Sequence, residues 1–161
     1  MAYLAISGPG RATPDEYDAA RHVGRWAAEH GHIVVCGGLG GVMEAAARGA
    51  TDASGTSVGL LPGDDRDEAN PYLTVALPTA LGEIRNALVV RCADVVICIG
   101  GSWGTLSELA LAVRTAVPVI SLWSWDLPHE GPMHARTVAR PPVVVQTVAE
   151  AIAALDRAIL H

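Results

Sequence analysis

The sequence predicts an α/β fold: a single Rossmann-like domain over residues 1–161, with helices on both faces of a doubly wound, mainly parallel sheet. Short apolar runs with strand character alternate with longer helical patterns along all 161 residues. The run at 94–99 is continuously apolar after Asp94, as expected of a central strand covered on both faces. Two such runs lead directly into glycine-rich loops. Ligands of this fold class bind where such loops lie, at the carboxyl ends of the strands.

The first half of the chain begins with a predicted strand at 3–7 and a turn at 8–10. Thr13 is suited to cap the next helix because Pro14 and two acidic residues follow it, and this helix is predicted to end before Gly31. The elements that come next are a strand at 32–36, a helix from 42 to about 54 and a strand at 56–61.

The second half opens with an acidic, solvent-exposed loop at 62–70 and then resumes the alternation. The predicted strands are at 73–77, 94–99, 118–122 and 143–145, the predicted helices at 81–93, 105–116 and 148–160, and an irregular loop spans 123–140. The helices at 81–93 and 105–116 are hydrophobic nearly all round, so each needs cover on two sides. Together with a hydrophobic content of 50%, this predicts a homodimer or higher homo-oligomer that uses these helices.

Composition excludes several classes of partner. The net charge of -6 and the lack of clustered arginines argue against nucleic acid. No apolar run approaches the roughly 18 residues of a membrane span, and no signal peptide is recognisable, so we expect a cytoplasmic protein without a membrane partner. Cys36, Cys92 and Cys98 lie in apolar segments without C-x-x-C spacing, so we expect reduced core cysteines and neither a disulfide nor a zinc site.

The sequence contains no lysine. A P-loop requires lysine to reach the phosphates, and pyridoxal phosphate requires it for a Schiff base, so both classes are excluded. A metal site at His129 and His134 is also disfavoured, because Gly131-Pro132 breaks any helix that would place both histidines on one face. We therefore expect no metal and no cofactor.

Both glycine-rich loops have the features of an anion site. The first, residues 37–41, follows the strand that ends at Cys36, and the second, residues 100–104, follows the run at 94–99. Glycines let the backbone approach a ligand closely, and the amide groups at the start of the next helix point towards it. Two such loops at one sheet edge predict one phosphorylated small molecule held between them.

Three separated motifs resemble those of a known superfamily. They are Gly37-Gly38-Leu39-Gly40-Gly41-Val42-Met43-Glu44, Arg85-Asn86 with Ala93-Asp94, and Gly100-Gly101-Ser102-Trp103-Gly104-Thr105-Leu106-Ser107-Glu108. In order and spacing the chain is similar, over residues 3–122, to the Rossmann-like superfamily of the LONELY GUY cytokinin-activating phosphoribohydrolases and the molybdenum cofactor carrier proteins. Asn70-Pro71-Tyr72-Leu73 adds a resemblance to its subgroup of small bacterial proteins. Members were long labelled possible lysine decarboxylases, a pyridoxal activity that the missing lysine rules out here.

The phosphoribohydrolases carry P-G-G-x-G-T-x-x-E and M-H-x-R-K, and this chain keeps part of each motif. Arg85 and Glu108 match the arginine and glutamate to which the resemblance assigns hydrolysis. The changed positions are Gly100 and Ser102, in place of proline and the second glycine, and Gly82, Glu83 and Asn86, in place of Met, His and Lys. The resemblance implies either hydrolysis of the N-glycosidic bond of a nucleoside 5'-monophosphate, or non-catalytic carriage or sensing of a phosphorylated pterin or nucleotide.

For a nucleoside monophosphate, we expect the phosphate on the amides of residues 101–105, beside the Thr105 hydroxyl and the positive end of a helix. Arg85 is expected to add a bidentate clamp. Glu108, one turn after Thr105, is expected to bind the ribose hydroxyls or to stabilise an oxocarbenium-like transition state. The expected catalytic residues are thus Arg85 and Glu108. The expected ligand-binding residues are Ser7, Gly8, Gly38, Gly40, Gly41, Asn86, Gly100, Gly101, Ser102, Gly104 and Thr105.

The two expected catalytic residues also have structural interpretations. Glu108 has the spacing of a capping-box acid whose N-cap is Thr105. Arg85 fits a solvated helix position paired with Glu83 or Asp94. These alternatives remain open at the level of sequence.

Three further patterns have competing interpretations. Gly38-x-Gly40 partly matches a nicotinamide fingerprint, but Met43 stands at the third glycine position and the motif follows the second strand. Ser7-Gly8 fits either the wall of the ligand cleft or a plain turn. Trp123 and Trp125 fit either packing in a subunit interface or stacking on a base.

Overall fold

The computed structural model describes residues 1–127 and 140–160, and within these ranges seven strands form one sheet. The strands are β1 (Tyr3–Ser7), β2 (Ile33–Cys36), β3 (Ser57–Leu61), β4 (Val75–Pro78), β5 (Val95–Ile99), β6 (Val119–Leu122) and β7 (Val143–Val145). Their order across the sheet is β4-β3-β2-β1-β5-β6-β7, and every neighbouring pair is parallel. The predicted fold class is confirmed.

Helices connect the strands. They are α1 (Pro14–Glu29), α2 (Val42–Asp52), α3 (Asn86–Arg91), α4 (Trp103–Arg114) and α5 (Val148–Ile159), with short 3-10 turns at Arg66–Glu68 and Gly82–Arg85. The start of α1 is a capping box, as its sequence indicates: the Thr13 hydroxyl accepts from the Glu16 amide at 3.2 Å, and the Glu16 carboxylate accepts from the Thr13 amide at 2.8 Å.

The sheet buries a separate hydrophobic cluster on each face. Leu4 and Ile6 of β1 point to one face, where they pack with α1, α2 and α5. Ala5, which alternates with them, points to the other face and joins Val89 of α3 and Leu109 of α4. The helices therefore cover both faces, which explains why β5 is buried along its whole length.

The strand order reverses next to β1, and this switch point fixes where a site can form. After β1 the chain moves through β2, β3 and β4 on one side, and it then crosses to place β5 on the other side of β1. The register pairs Ser7, the last residue of β1, with Cys98 of β5. A crevice opens at such a switch point beyond the carboxyl ends of the two strands.

The predicted helix at 81–93 is wrong in its first half. Residues Gly82–Arg85 form a 3-10 turn, and only Asn86–Arg91 are α-helical. Ala80 and Gly82 have positive φ values of 55° and 57°, and their amides donate to the carbonyls of Gly63 and Pro62, each at 2.9 Å. These bonds tie the chain to the loop after β3, and they place Arg85 at the junction of the turn and α3.

Two smaller expectations also change. The strand expected at 73–77 begins only at Val75, because the Asn70 side chain accepts from the Tyr72 amide at 3.1 Å and holds a turn there. Cys92, expected in the core, is exposed because α3 ends at this position on the surface, whereas the other two cysteines are buried.

Part of the irregular loop expected at 123–140, including His129 and His134, lies outside the described residues. Among the helices in the described part of the chain, none is both long and apolar enough to cross a membrane.

Candidate functional site

The loop after β5 brings a row of backbone amides to the edge of the sheet. Gly100 has a φ of 66°, and its amide donates a hydrogen bond to the Leu122 carbonyl at 3.0 Å. The next four amides, residues 101–104, donate to no acceptor among the described residues. We call these four groups the loop amides. They lie at the N-terminus of α4, where backbone donors have no partner within the helix.

The helix after this loop begins two residues earlier than expected. Ser102 is its N-cap, and the Ser102 hydroxyl accepts from the Thr105 amide at 3.2 Å. The Thr105 hydroxyl lies 3.0 Å from the same oxygen, and the Thr105 side chain is buried. Ser102 and Thr105 thus bond to each other in this structure. The loop amides belong to Ser102 itself, to the residue before it and to the two residues that separate it from Thr105.

The loop after β2 forms the opposite wall of the crevice. Gly41 has a φ of 64°, and a side chain there would collide with the Pro9 carbonyl. A side chain at Gly8 would likewise meet the Ile99 carbonyl and Val42. Backbone from three strand ends is therefore packed closely, which only glycine at these two positions permits.

Asn70 fixes the shape of this second loop. Its amide group donates to the carbonyls of Gly38 at 3.2 Å and Leu39 at 3.0 Å, and its backbone amide donates to Gly38 at 2.9 Å. The resemblance included Asn70 in a family motif without giving it a role, and the structure shows what it holds in place.

Arg85 lies buried against the same loop. The residue is only 7% exposed. A methyl group added at Gly37 would collide with the Arg85 guanidinium and would lie 2.7 Å from the Met43 sulfur. Its Nε has no hydrogen-bond partner in the described part of the chain. The solvated, paired interpretation of Arg85 is wrong, since Asp94 instead accepts from the Tyr3 amide at 2.8 Å.

Glu108 lies in the second turn of α4 and is also only 7% exposed. The Ser7 hydroxyl donates a hydrogen bond to its carboxylate. The capping-box interpretation of Glu108 is wrong, because the N-cap is Ser102 and the N3 position is Thr105. Burial raises the pKa of the Glu108 carboxyl, while the Ser7 hydrogen bond and the charge of Arg85 oppose that rise.

Arg85 and Glu108 share one poorly solvated region without forming an ion pair. The ion pairs within 4.0 Å among the described residues are Arg21–Asp52 and Arg25–Glu29, both on the protein surface. Burial lowers the pKa of the Arg85 guanidinium, and the charge of Glu108 partly restores it. The two side chains therefore affect each other's pKa although they do not come within 4.0 Å of each other.

Two buried thiols lie beside this pair. Burial raises the pKa of Cys36 to about 11, and Arg85 and Glu108 act on it with opposite signs. Burial also raises the pKa of Cys98, whose thiol interacts with the Ser7 hydroxyl. Both thiols are therefore protonated at neutral pH, and neither has the thiolate character of a nucleophile.

The remaining expected residues lie around the rim. The Asn86 side chain donates to the Ser107 hydroxyl at 3.4 Å and lies near Gly104. Trp125 contacts Gly101, and its indole donates to the Ser102 carbonyl at 2.9 Å. The indole of Trp123 instead donates to the Gln146 carbonyl at 2.8 Å.

The structure brings most of the expected site residues to one edge of the sheet. Two residues to which the sequence assigned no site role also lie here: Gly37, against which the Arg85 guanidinium packs, and Trp103, which is exposed beside the loop amides. Gly37 belongs to the glycine run that indicated the loop, so its signal was present. Trp103 carries no motif signal of its own.

Comparisons with known proteins identify the family and the fold of the chain. A model of the SLOG cluster4 family matches residues 1–152. A protein of Archaeoglobus fulgidus is 35% identical over 146 residues, which cover 91% of this chain and 85% of that protein. The molybdenum cofactor binding protein from the phototrophic bacterium Rippkaea orientalis is 31% identical with a TM-score of 0.85, covering 99% of this chain and 97% of that chain.

The molybdenum cofactor carrier protein from Chlamydomonas reinhardtii is 27% identical with a TM-score of 0.83, and the match covers 100% of both chains. The resemblance to the superfamily of these carriers and the LONELY GUY proteins is therefore confirmed. Because the family model spans nearly all of the described sheet and both loops, the chain belongs to the SLOG cluster4 family.

Proposed function

We propose that the protein binds a phosphorylated small molecule in the crevice between the two glycine-rich loops and carries it without chemical change. The observation that supports this most directly is the state of Arg85, a buried guanidinium whose Nε meets no acceptor among the described residues. A buried donor in that state costs free energy unless a ligand supplies the acceptor. Phosphate oxygens supply acceptors in the planar geometry that a guanidinium matches.

The loop amides support the same ligand chemistry. They lie at the N-terminus of α4, where the aligned peptide dipoles amount to roughly half a positive charge. In a protein with a net charge of -6, an anion requires such a local concentration of donors. Arg85 on one side and the loop amides on the other would hold a phosphate between side chain and backbone.

The relatives favour a particular class of cargo. One of the similar structures is a molybdenum cofactor binding protein and another is a molybdenum cofactor carrier. In line with them, we propose a phosphorylated pterin or a nucleotide as the ligand of this chain. Such a molecule has a phosphate for Arg85 and polar ring or ribose groups for Glu108.

Hydrolysis of a nucleoside 5'-monophosphate is the second candidate. It is favoured by the presence of Arg85 and Glu108, the two residues expected to act in hydrolysis, in one buried region. The carrier function is preferred because two of the similar structures are a molybdenum cofactor binding protein and a molybdenum cofactor carrier. Hydrolysis would need an ionised Glu108 to stabilise an oxocarbenium-like transition state, and the burial of this carboxyl opposes its ionisation.

Incubation with AMP separates the two candidates. For a carrier we expect saturable binding by isothermal titration calorimetry and no release of adenine or ribose 5-phosphate. Adenine release that Glu108→Gln abolishes would instead establish the hydrolase. If AMP, GMP and inorganic phosphate all fail to bind, the proposed phosphate site is wrong.

We also propose that the protein forms a homodimer through the 3-10 turn at Gly82–Arg85 and α3. Ile84 is 74% exposed there, and Leu81 and Leu88 are exposed beside it. Ile84→Glu is expected to convert a dimer into a monomer in sedimentation velocity. An unchanged sedimentation coefficient for that variant would contradict this interface.

A further inference from the structure

Trp103 has an unusual position for a large aromatic side chain. It is the first residue of α4, so its own amide is one of the loop amides, and its side chain is 76% exposed. Exposure of this apolar area costs free energy that the folded chain does not recover by itself. Its position suggests that the ring is covered when the neighbouring site is occupied.

The ring of Trp103 is supported from one side. Its centroid lies 5.2 Å from that of Trp125, and the two rings are inclined by 30°. Trp125 is itself anchored, because its indole donates to the Ser102 carbonyl at 2.9 Å and its own carbonyl lies 3.4 Å from the Ser121 hydroxyl. The aromatic pair is thus built onto the same loop that presents the loop amides.

We infer that Trp103 is the platform on which a planar heteroaromatic ring of the ligand stacks while its phosphate lies on the loop amides and Arg85. This inference rests on the proposed phosphate site and narrows its ligand class to phosphorylated heteroaromatic molecules. Sugar phosphates, which lack the ring, are then bound more weakly. Stacking of a base on an aromatic side chain is tolerant of ring identity, so the platform accepts both purine and pterin rings.

Trp123 does not share this role, although it directly follows β6 at the same edge of the sheet. It lines a surface depression with Asp15, His22 and Val148, on the side of the sheet that α1 and α5 cover. Trp125 packs on the opposite side, with the cluster that contains α4. Trp123 is therefore a matched control: an exposed indole after β6 that lines a depression on the side of the sheet away from Trp125.

The test compares AMP and GMP with ribose 5-phosphate in calorimetric titrations of the wild type, Trp103→Ala, Trp103→Phe and Trp123→Ala. We expect Trp103→Ala to weaken AMP and GMP roughly tenfold, the loss typical of removing one stacking partner, and to leave ribose 5-phosphate unchanged. Trp103→Phe should restore most of the affinity, and Trp123→Ala should bind all three ligands like the wild type.

The outcomes separate this inference from the phosphate site. If Trp103→Ala leaves the affinities for AMP and GMP unchanged, or lowers that for ribose 5-phosphate equally, the platform is wrong while the phosphate site stands. If Trp103→Ala changes the sedimentation coefficient but no affinity, the side chain belongs to a contact with a second copy, and the inference is overturned. If none of the three ligands binds the wild type, both the platform and the phosphate site are wrong.

Discussion

The Ser7 hydroxyl donates a hydrogen bond to the buried carboxylate of Glu108, 101 residues later in the chain. This contact joins the end of β1 to the second turn of α4 across the crevice at the switch point. It gives one carboxylate oxygen a defined partner and orients the side chain towards the region that holds Arg85. Ser7 is therefore part of the structural frame of the candidate site.

Ser7→Ala is expected to lower the free energy of unfolding by about 1–3 kcal/mol, the usual cost of leaving a buried polar group without its partner. Chemical denaturation by urea, followed by circular dichroism, measures this change. Ser124→Ala is the control, because the buried Ser124 hydroxyl has no partner among residues 1–127 and 140–160. Equal effects of the two substitutions would show that the Ser7 bond does not stabilise the fold.

Glu108→Gln is expected to stabilise the protein increasingly as the pH rises. Because burial raises the pKa of Glu108 above its ordinary value of 4.5, between these two pKa values the folded wild type binds a proton that the unfolded chain has released. The contribution of this carboxyl to stability is therefore complete below that ordinary pKa and is lost as the pH rises through the raised one. Glutamine has no such titration.

The difference in unfolding free energy between Glu108→Gln and the wild type should be smallest near pH 4.5 and larger at about pH 8. Urea unfolding of both proteins across this range checks the prediction. A difference that does not vary with pH would mean that the Glu108 carboxyl titrates alike in the folded and unfolded states.

Arg85→Met is expected to stabilise the unliganded protein while it weakens the binding of AMP. Methionine fills similar space without the buried charge, and no nitrogen of Arg85 lies within 4.0 Å of Glu108 to make a strong ion pair. We expect a gain of about 1 kcal/mol in the free energy of unfolding. We also expect a loss of at least about tenfold in AMP affinity, since a hydrogen bond to a charged group contributes about 1.5–3 kcal/mol.

Unfolding curves and calorimetric titrations of Arg85→Met measure the two effects separately. A destabilised variant would indicate that Arg85 is a structural residue of the core. If Arg85→Met is more stable than the wild type but binds AMP with the same affinity, the phosphate does not bind at Arg85.

Gly37→Ala is expected to weaken AMP binding by displacing Arg85. Its φ lies outside the left-handed region, so alanine fits the backbone, but the added methyl group would collide with the guanidinium. Gly10→Ala is the matched control, since the nearest atom to a methyl group there is the terminal carbon of Met43 at 3.9 Å. Equal AMP affinities for the two variants would contradict the contact between Gly37 and Arg85.

The three cysteines are expected to differ in reactivity. Cys92 is exposed, whereas Cys36 and Cys98 are buried and burial raises the pKa of both thiols. An aromatic disulfide reagent should therefore modify one thiol per chain in the native state and three after denaturation. Cys92→Ser serves as the control and should show no fast reaction. Fast modification of a second thiol would mean that the switch-point region is open to solvent.

The elements with strong local signals were predictable from the sequence. β1 and β7 have the expected bounds, and the capping box of Thr13 and Glu16 marks the start of α1. The start of α4 was less predictable, because Ser102 and Thr105 are both good N-cap residues and Gly104 between them favours a loop. In the folded chain a contact from a distant residue supports Ser102, since the Trp125 indole donates to its carbonyl at 2.9 Å.

The site was predictable as a location but not as a set of contacts. Parallel topology brings both glycine-rich loops to one edge, and the motifs identify Arg85 and Glu108. The bond between Ser7 and Glu108 depends on β1 and β5 being neighbours, which no local pattern encodes. The burial of Arg85 depends on the 3-10 turn that the hydrogen bonds of Ala80 and Gly82 produce, and apolar periodicity does not reveal such a turn.

A crystal structure of the protein with AMP tests the proposed phosphate site most directly. We expect a phosphate whose oxygens accept hydrogen bonds from the Arg85 guanidinium and from the amides of residues 101–104, with the adenine ring over Trp103. A phosphate bound elsewhere, with Arg85 and these amides bonded to other groups of the protein or to a second copy, would contradict it.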